Sequence, residues 1–288
     1  MTAAAFDMPT PNPALCQPGG GIGVVTVERR GFSHVETDLD WVAEEIPVSL
    51  EYNGLAHAVM LATPADLEDF ALGFSLTEGV AATAADILGI EVEPQPQGIT
   101  VRIDLAGRRF DQLKRRRRAL AGRTGCGLCG TESLGQVLRD IPAVTATTIF
   151  QPATLAGALA QLRAGQHLLG KTGATHAAGW MDQDGGVALV REDVGRHNAL
   201  DKLIGALARH GADAGAGAAL VTSRASFEMV QKAAAAGIGM LVAVSASTLL
   251  AVQTAERLNT TLVGFARQDR CVVYAHGWRL RNREGAAQ

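Results

Sequence analysis

Apolar and polar positions alternate along much of the first hundred residues, which is the pattern of β-strands. Strands are predicted over residues 22–30 and 46–62. The second stretch is interrupted by Asn53-Gly54, a pair typical of a tight hairpin turn. Two further strands are predicted over residues 88–93 and 98–104. The first part of the chain is therefore predicted to be rich in β-structure.

One helix is predicted within this part, directly after the hairpin. Four apolar residues share one helical face: Leu67, Phe70, Ala71 and Phe74. Thr63 is the expected N-cap and Pro64 the expected first helical residue. Gly79 is expected to end the helix.

The second half of the chain shows a regular alternation of helices and strands. The predicted elements are a helix over 152–163, a hairpin of strands over 175–181 and 187–191, a helix over 196–209, a strand over 218–222, a helix over 226–236, a strand over 240–244, a helix over 248–258 and strands over 261–266 and 271–275. This alternation predicts βαβ units and a mostly parallel sheet covered on both faces. The last strand is expected to pair antiparallel with its predecessor.

Composition excludes several classes of protein. The chain has 288 residues, 47% of them hydrophobic, a net charge of −3 and a pI near 6.2, so it has no general affinity for nucleic acid or an anionic membrane. No run approaches the roughly 18 apolar residues of a membrane span. Residues 1–21 lack the pattern of a signal peptide and are expected to be a disordered leader. Four cysteines are too few for a disulfide scaffold, which favours reducing cytosol.

Two cysteines at CxxC spacing form the strongest chemical signal. Cys126 and Cys129 stand within a run of four glycines, so the thiols are expected to be exposed. Thr131 is the predicted N-cap of a following helix, whose apolar positions continue to Ile141. A helix N-terminus and the nearby Arg123 both favour a thiolate. The basic tract 114–118 upstream is interpreted as a solvated loop or helix face, although it could steer an anionic ligand to the thiols.

Three polar clusters follow predicted strands, at residues 192–198, 222–226 and 245–248. Ordinary N-capping explains any one of them. Three in succession at one sheet edge favour an anionic, nucleotide-like ligand. His197 is favoured for a site role, whereas His176 is interpreted as structural, and Cys271 as a small buried residue.

Metal binding is the main alternative use of the CxxC pair. Structural zinc sites require a second pair of ligands, and the sequence contains none. Cys126, Cys129 and His176 could still form a three-ligand site. A zinc or thiol redox protein therefore remains an alternative, although no permanent metal is expected.

Four stretches together resemble the FdhD family, the sulfur carriers required for active formate dehydrogenase: residues 63–74, 125–130, 192–199 and 223–226. The resemblance runs from about Val24 to Tyr274. It implies an α/β protein with a C-terminal cytidine-deaminase-like α/β/α layered mixed sheet and a smaller N-terminal β-rich α+β domain. No glutamate stands two residues after His176, as the deaminase zinc pattern requires, so deamination is not expected.

The resemblance also implies a function and its residues. Cys126 would accept a persulfide from a cysteine desulfurase, with Cys129 as helper thiol. The sulfur would pass to the molybdenum cofactor with two guanine dinucleotides (bis-MGD), before this cofactor enters formate dehydrogenase. The family's cofactor-binding stretch corresponds to Phe265, Ala266, Arg267, Gln268, Asp269 and Arg270. Ser223, Arg224, Ser226 and His197 are added from the polar clusters, and GDP is expected to bind as a cofactor fragment.

The expected organisation is a leader over 1–21, an N-terminal domain over 22–121, a CxxC loop over 122–132, a deaminase-like domain over 133–280 and a tail over 281–288. A cytoplasmic homodimer is expected from the resemblance. A different class remains open, in which the chain binds the cofactor as a chaperone for formate dehydrogenase and transfers no sulfur.

Overall fold

Three β-sheets and the helices around them make up the fold. The computed structural model describes residues 20–31, 34–121 and 139–282. The strands are β1 (Ile22–Arg30), β2 (Val35–Ala43), β3 (Ile46–Tyr52), β4 (Leu55–Ala62), β5 (Ile87–Gln95), β6 (Gly98–Leu105), β7 (His176–Met181), β8 (Val187–Asp193), β9 (Ala218–Val221), β10 (Met240–Ala243), β11 (Thr261–Gly264) and β12 (Val272–Ala275). The helices are α1 (Leu67–Thr77), α2 (Gly107–Ala121), α3 (Thr154–Ala164), α4 (His167–Thr172), α5 (Arg196–Arg209), α6 (Phe227–Ala235) and α7 (Leu249–Arg257). None of these helices is long and apolar enough to cross a membrane.

The four-stranded sheet has the order β4-β3-β6-β5. β3 and β4 are antiparallel and joined across Asn53 and Gly54, whose φ angles of 46° and 80° suit a tight hairpin turn. The predicted hairpin is thus confirmed. Val48 and Leu50 on one face of β3 are fully buried and pack in one cluster with Phe70 of α1. The first hydrophobic core therefore lies between this sheet and α1.

The six-stranded sheet has the order β12-β11-β10-β9-β7-β8. Its three central strands β9, β10 and β11 are parallel, which confirms a mixed α/β fold. The expectation of a mostly parallel sheet is wrong, because the other three neighbouring pairs are antiparallel. The connections over residues 182–186 and 265–271 are too short for the dozen or so residues that a parallel crossover needs.

Helices cover both faces of the six-stranded sheet. Ala219 and Val221 of β9 belong to a core with α5, α6 and α7, whereas Ala218 and Leu220 belong to a core with α3. All four residues of the strand are buried. A fully apolar strand is typical of a sheet with two covered faces, and that prediction is confirmed.

Most element boundaries lie within one or two residues of the predicted ones. The helix predicted over 196–209 is α5 with the same bounds, and Gly79 follows the end of α1 with a φ of 65°. The basic tract lies on α2, and a helix was one of the two settings expected for it. The helix α2 as a whole, the strand β2 and the short helix α4 were not among the predicted elements. The predicted leader, the CxxC loop and the tail fall wholly or mostly outside the described residues, while Ile141 is buried but not helical.

The start of α1 differs from the prediction. Thr63 is not an N-cap, since the helix begins at Leu67 after Asp66, which has a φ of 54°. Thr63 is fully buried, its N–H donates to the Asp193 carboxylate at 3.0 Å, and its hydroxyl accepts from the Val194 N–H at 3.1 Å. Partners some 130 residues away in sequence therefore override the local capping signal.

The helices α1 and α5 join the two larger sheets and cross at a pair of glycines. A Cβ added at Gly73 would stand 1.7 Å from the Asp201 carbonyl oxygen. One added at Gly205 would stand 1.8 Å from the Asp69 carbonyl oxygen. Only a residue without a side chain allows this approach, because the obstacle on each side is backbone.

Substitution of Gly73 by alanine is expected to lower the free energy of unfolding by about 3 kcal/mol, since the two helices must separate to admit the methyl group. Urea denaturation of the purified variant measures this change. Gly157 of α3 is the matched control, because its added Cβ would meet nothing within 4 Å. Gly157→Ala is expected to gain about 1 kcal/mol through helix propensity. Equal stabilities of the two variants would contradict the close packing at Gly73.

Candidate functional site

The ends of six strands bring the predicted polar clusters together along one edge of the large sheet. The carboxyl ends of β8, β9, β10 and β11 meet there with the amino ends of β7 and β12. His176 pairs in register with Asp193, and the Phe265 N–H donates to the Ser245 carbonyl. The helices α5, α6 and α7 also begin at this edge. We call it the carboxyl edge: residues 192–198, 222–228, 245–249 and 265–272 together with His176.

Glu192 belongs to the interior and does not face a ligand. Its two carboxylate oxygens accept hydrogen bonds from the N–H groups of Leu168 and Leu169 and from the Thr175 hydroxyl, at 2.7–2.8 Å. The side chain thus satisfies the amino end of α4. Glu192 in the first polar cluster therefore stabilises the fold and does not contribute to a ligand site.

Asp193 is also a structural residue, and it lies where the four-stranded and six-stranded sheets meet. Its carboxylate lies 2.7 Å from Lys202 Nζ, and both side chains are fully buried. The Asn198 amide donates to Asp193 at 2.9 Å and to the Leu61 carbonyl at 2.8 Å. Burial lowers the pKa of Lys202, against the opposing effect of the carboxylate. Three of the seven residues in the first cluster are therefore structural: Glu192, Asp193 and Asn198.

The remaining charged residues of this cluster lie at the edge. His197 Nε2 lies 2.9 Å from Glu228 Oε2 in the first turn of α6, and this close contact with the imidazole holds the pKa of Glu228 below its ordinary value. Arg196 Nε is buried without a partner among the described residues. Burial, followed by the neighbouring Arg196 and His197, lowers the pKa of His176. Two imidazoles, one guanidinium and one carboxylate thus form a single group.

Sequence reasoning missed two members of this group. His176 was interpreted as structural, because a lone histidine is more often structural, although the predicted hairpin placed the start of its strand beside the end of β8. Glu228 was overlooked, although an acidic residue two positions after a serine N-cap is a recognisable sign of a helix start.

The second polar cluster contains one exposed and two buried predicted site residues. Arg224 is exposed, whereas Ser223 and Ser226 are 6% and 8% exposed. The Ser223 hydroxyl donates to the Arg224 carbonyl at 3.0 Å. Ser226 is the N-cap residue of α6, yet its hydroxyl has no hydrogen-bond partner in the described structure. Ordinary capping therefore does not account for Ser226.

The third cluster is explained in part by capping. The Thr248 hydroxyl accepts from the Ala251 N–H at 3.2 Å, as an N-cap of α7 should. The neighbouring Ser247 hydroxyl is buried and has no partner in the described part of the chain. Only Ser247 therefore has unused hydrogen-bonding capacity.

The predicted cofactor-binding stretch lines a cavity of about 390 Å³ at the start of β12. The lining residues are Phe265, Arg267, Arg270, Cys271 and Val272. Phe265 has a φ of 48°, uncommon for a bulky residue, and is 43% exposed. An uncommon backbone conformation that exposes an aromatic ring beside a cavity is typical of a ligand-binding residue, so Phe265 is a candidate for contact with a ligand.

The other residues of this stretch behave differently. Ala266 is buried in the core with α3, and Gln268 and Asp269 are exposed without lining the cavity. One Arg267 guanidinium nitrogen donates to the Val244 and Ala266 carbonyls, which orients this side chain. The structure thus brings three of the six predicted residues to the cavity.

The predicted catalytic thiols, Cys126 and Cys129, lie outside the described residues. Cys271 is half-buried and lines the cavity, so the expectation of a fully buried residue is wrong. Burial raises the pKa of the Cys271 thiol. This cysteine is therefore a poor nucleophile at neutral pH, unlike the thiolate expected at the CxxC pair.

The described residues include no group of three or more histidine, cysteine, aspartate or glutamate side chains placed to hold a metal ion. The three-ligand alternative needs Cys126 and Cys129, which those residues do not include. The groups that converge on the carboxyl edge are mainly arginines, histidines and serine hydroxyls. They are suited to oxyanions.

Known proteins resemble this chain over most of its length. Residues 43–281 match the model of the FdhD/NarQ family. Proteins named sulfur carrier protein FdhD are similar over most of their length. One from Cupriavidus necator is 58% identical over 248 residues, covering 86% of each chain. One from Xanthomonas axonopodis pv. citri is 52% identical over 273 residues, covering 95% of this chain and 96% of the relative.

A solved structure supports the fold. The crystal structure of a candidate formate dehydrogenase accessory protein from Desulfotalea psychrophila superimposes with a TM-score of 0.70. It covers 90% of this chain and 99% of its own, at 23% identity. Since the family model and the relatives both span most of the sequence, the chain belongs to the FdhD/NarQ family.

Proposed function

We propose that this chain is a sulfurtransferase that accepts persulfide sulfur from a cysteine desulfurase on Cys126 and transfers it to bis-MGD, the molybdenum cofactor required for formate dehydrogenase. The sulfur-carrier role is supported by relatives of that name that are 58% and 52% identical over the aligned residues. The desulfurase, the cofactor and the client enzyme are supported by the four motif stretches and the chemistry of the carboxyl edge.

The thiol chemistry follows from the CxxC spacing. The Cys126 thiolate attacks the outer sulfur of the donor's persulfide, the donor's S–S bond breaks, and its cysteine leaves as a thiolate. Cys129 then attacks the inner sulfur of the Cys126 persulfide. This step forms a Cys126–Cys129 disulfide and frees the outer sulfur as hydrosulfide for the cofactor. The two thiols supply both electrons, and a cellular dithiol reductant restores them.

The observation that best supports cofactor binding is the cavity lined by Arg267, Arg270 and the exposed ring of Phe265. Arg267 and Arg270 provide planar donors for pyrophosphate oxygens. Phe265 offers a ring face at the same cavity, suited to a guanine base. A guanine dinucleotide contains both a pyrophosphate for the arginines and a guanine base for the phenyl ring, so it suits this cavity.

Truncation of either arginine to alanine is expected to weaken GDP binding. Loss of charge-assisted hydrogen bonds worth about 1.5–3 kcal/mol corresponds to a roughly 10- to 150-fold higher Kd. Isothermal titration of GDP into Arg267→Ala and Arg270→Ala measures this change. Arg102, exposed on the four-stranded sheet, is the matched control, and Arg102→Ala should bind GDP like the wild type. Unchanged affinity in both cavity variants would place the nucleotide elsewhere.

We also propose that the protein works as a homodimer in reducing cytosol. The resemblance supports the dimer, and the sparse cysteines support the compartment. Light scattering coupled to size-exclusion chromatography tests the dimer, and a mass near the 30.0 kDa of one chain would refute it.

A further inference from the structure

We infer that the amino ends of α5 and α6 form a second oxyanion subsite on the carboxyl edge, which binds a phosphoryl group apart from the arginine cavity. The residues assigned to it are Arg196, His197 and Ser226, with His176 alongside. The inference rests on the proposed function only for the identity of the natural ligand. The subsite itself stands on the described side chains.

The α6 side of the subsite has an unused hydroxyl at a helix N-terminus. Ser226 caps a helix of nine residues, and its hydroxyl is buried without a partner in the described structure. Buried hydroxyls are normally hydrogen-bonded, so an unpaired one indicates a missing partner. N–H groups in the first helical turn add partial positive charge at the same place. Both kinds of donor suit an oxyanion.

The α5 side of the subsite supplies a full positive charge, the Arg196 guanidinium. Arg196 is the first residue of that helix, and its Nε is buried without a partner among the described residues. Arg196 adjoins His197, which lies 2.9 Å from Glu228, and His176 pairs across the sheet with Asp193 at the end of β8, three residues before Arg196. An unpaired buried guanidinium N–H is costly, and a bound oxyanion would satisfy it.

The Glu228 carboxylate would compete with a bound anion for the His197 side chain of this subsite. Its carboxylate pairs with His197, but the side chain is 47% exposed and can turn to solvent when an anion arrives. Asp193 also acts on His176, although its carboxylate is already paired with Lys202. Lys232 acts on Glu228 from the same helix. Removal of the Glu228 charge should therefore tighten anion binding, whereas loss of the Ser226 hydroxyl should weaken it.

The subsite is distinct from the arginine cavity. Phe265 follows β11, whereas Ser226 follows β9 and Arg196 follows β8, two and four strand positions away in the sheet. At about 4.8 Å per strand these separations are roughly 10 and 19 Å. One phosphate cannot contact both places, whereas a dinucleotide can extend between them.

The test follows the imidazole NMR signals of His176 and His197, assigned by single substitution, as inorganic phosphate is added at pH 7. Phosphate should shift both signals in the wild type. Ser226→Ala should raise the apparent Kd by about tenfold or more, the effect of one hydrogen bond to a charged ligand. Glu228→Gln should lower it about threefold, and Ser49→Ala on β3 should leave it unchanged.

Absence of any shift in the wild type with both inorganic phosphate and GDP, or equal Kd values of the shifting ligand for Ser226→Ala and the wild type, would overturn the subsite. Thermal unfolding of each variant shows whether it is folded, and Glu228→Gln provides a second test if Ser226→Ala is not. GDP distinguishes the sources of the phosphoryl group. Shifts with GDP alone assign the subsite to the nucleotide's own phosphate, and shifts with inorganic phosphate alone assign it to a separate oxyanion. Neither result affects persulfide formation on Cys126, so the two proposals fail independently.

Discussion

Cys126→Ala is expected to abolish persulfide formation and, with it, formate dehydrogenase activity in cells that lack the native protein. The reason is that only a thiolate can accept the sulfur, and the glycines around Cys126 are expected to leave it accessible to the donor. Intact mass spectrometry after incubation with a desulfurase and cysteine measures the adduct. Wild type should gain about 32 Da, the mass of one sulfur atom on the attacking thiol.

The other cysteines provide the controls for this experiment. Cys271→Ala should form the adduct at full yield, because partial burial raises the pKa of the Cys271 thiol and leaves it a poor nucleophile at neutral pH. Cys129→Ala should form the persulfide but release its sulfur slowly. Full adduct yield in Cys126→Ala would refute the assignment. If Cys126→Ala together with Cys129→Ala still supports formate dehydrogenase, the chain acts as a cofactor chaperone without a sulfur step.

Lys202→Met is expected to lower the free energy of unfolding by about 3–5 kcal/mol, because it leaves the Asp193 carboxylate buried without its cation. Both side chains of this pair are fully inaccessible to solvent. Lys202 also donates to the Thr63 carbonyl at 3.0 Å, so the substitution removes a link between the two sheets. Chemical denaturation monitored by circular dichroism measures the loss.

Lys114→Met is the matched control for this substitution. Lys114 is 38% exposed and pairs with Asp111 one helical turn away, an arrangement worth only about 0.5 kcal/mol. A cost for Lys202→Met no larger than that of the control would show that Asp193 is sufficiently stabilised by its hydrogen bonds. That outcome would weaken the structural role assigned to the first polar cluster.

Local periodicity predicted most of the fold. The helix over 196–209 and the parallel core of β9, β10 and β11 were predicted, because apolar spacing within ten to fifteen residues defines a helix or a buried strand. The hairpin at Asn53 was predicted because its turn needs positive φ angles. The strand β2 was missed, although Glu36, Asp38 and Asp40 alternate with the apolar Val35, Leu39 and Trp41, as the residues of a half-buried strand do.

The sequence by itself determined the types of residue along the carboxyl edge, the thiol pair and the family. Only the tertiary structure decided which polar residues are available there. Glu192 and Asp193 resemble Ser226 and Arg196 in the sequence, as polar residues next to a helix start. The first two are paired, Glu192 with the Leu168 N–H 24 residues before it, and Asp193 with Lys202 and with the Thr63 N–H 130 residues before it. The last two have unpaired buried atoms in the described structure. Burial and hydrogen-bond partners depend on how separate strands and helices pack together, and local sequence does not encode that packing.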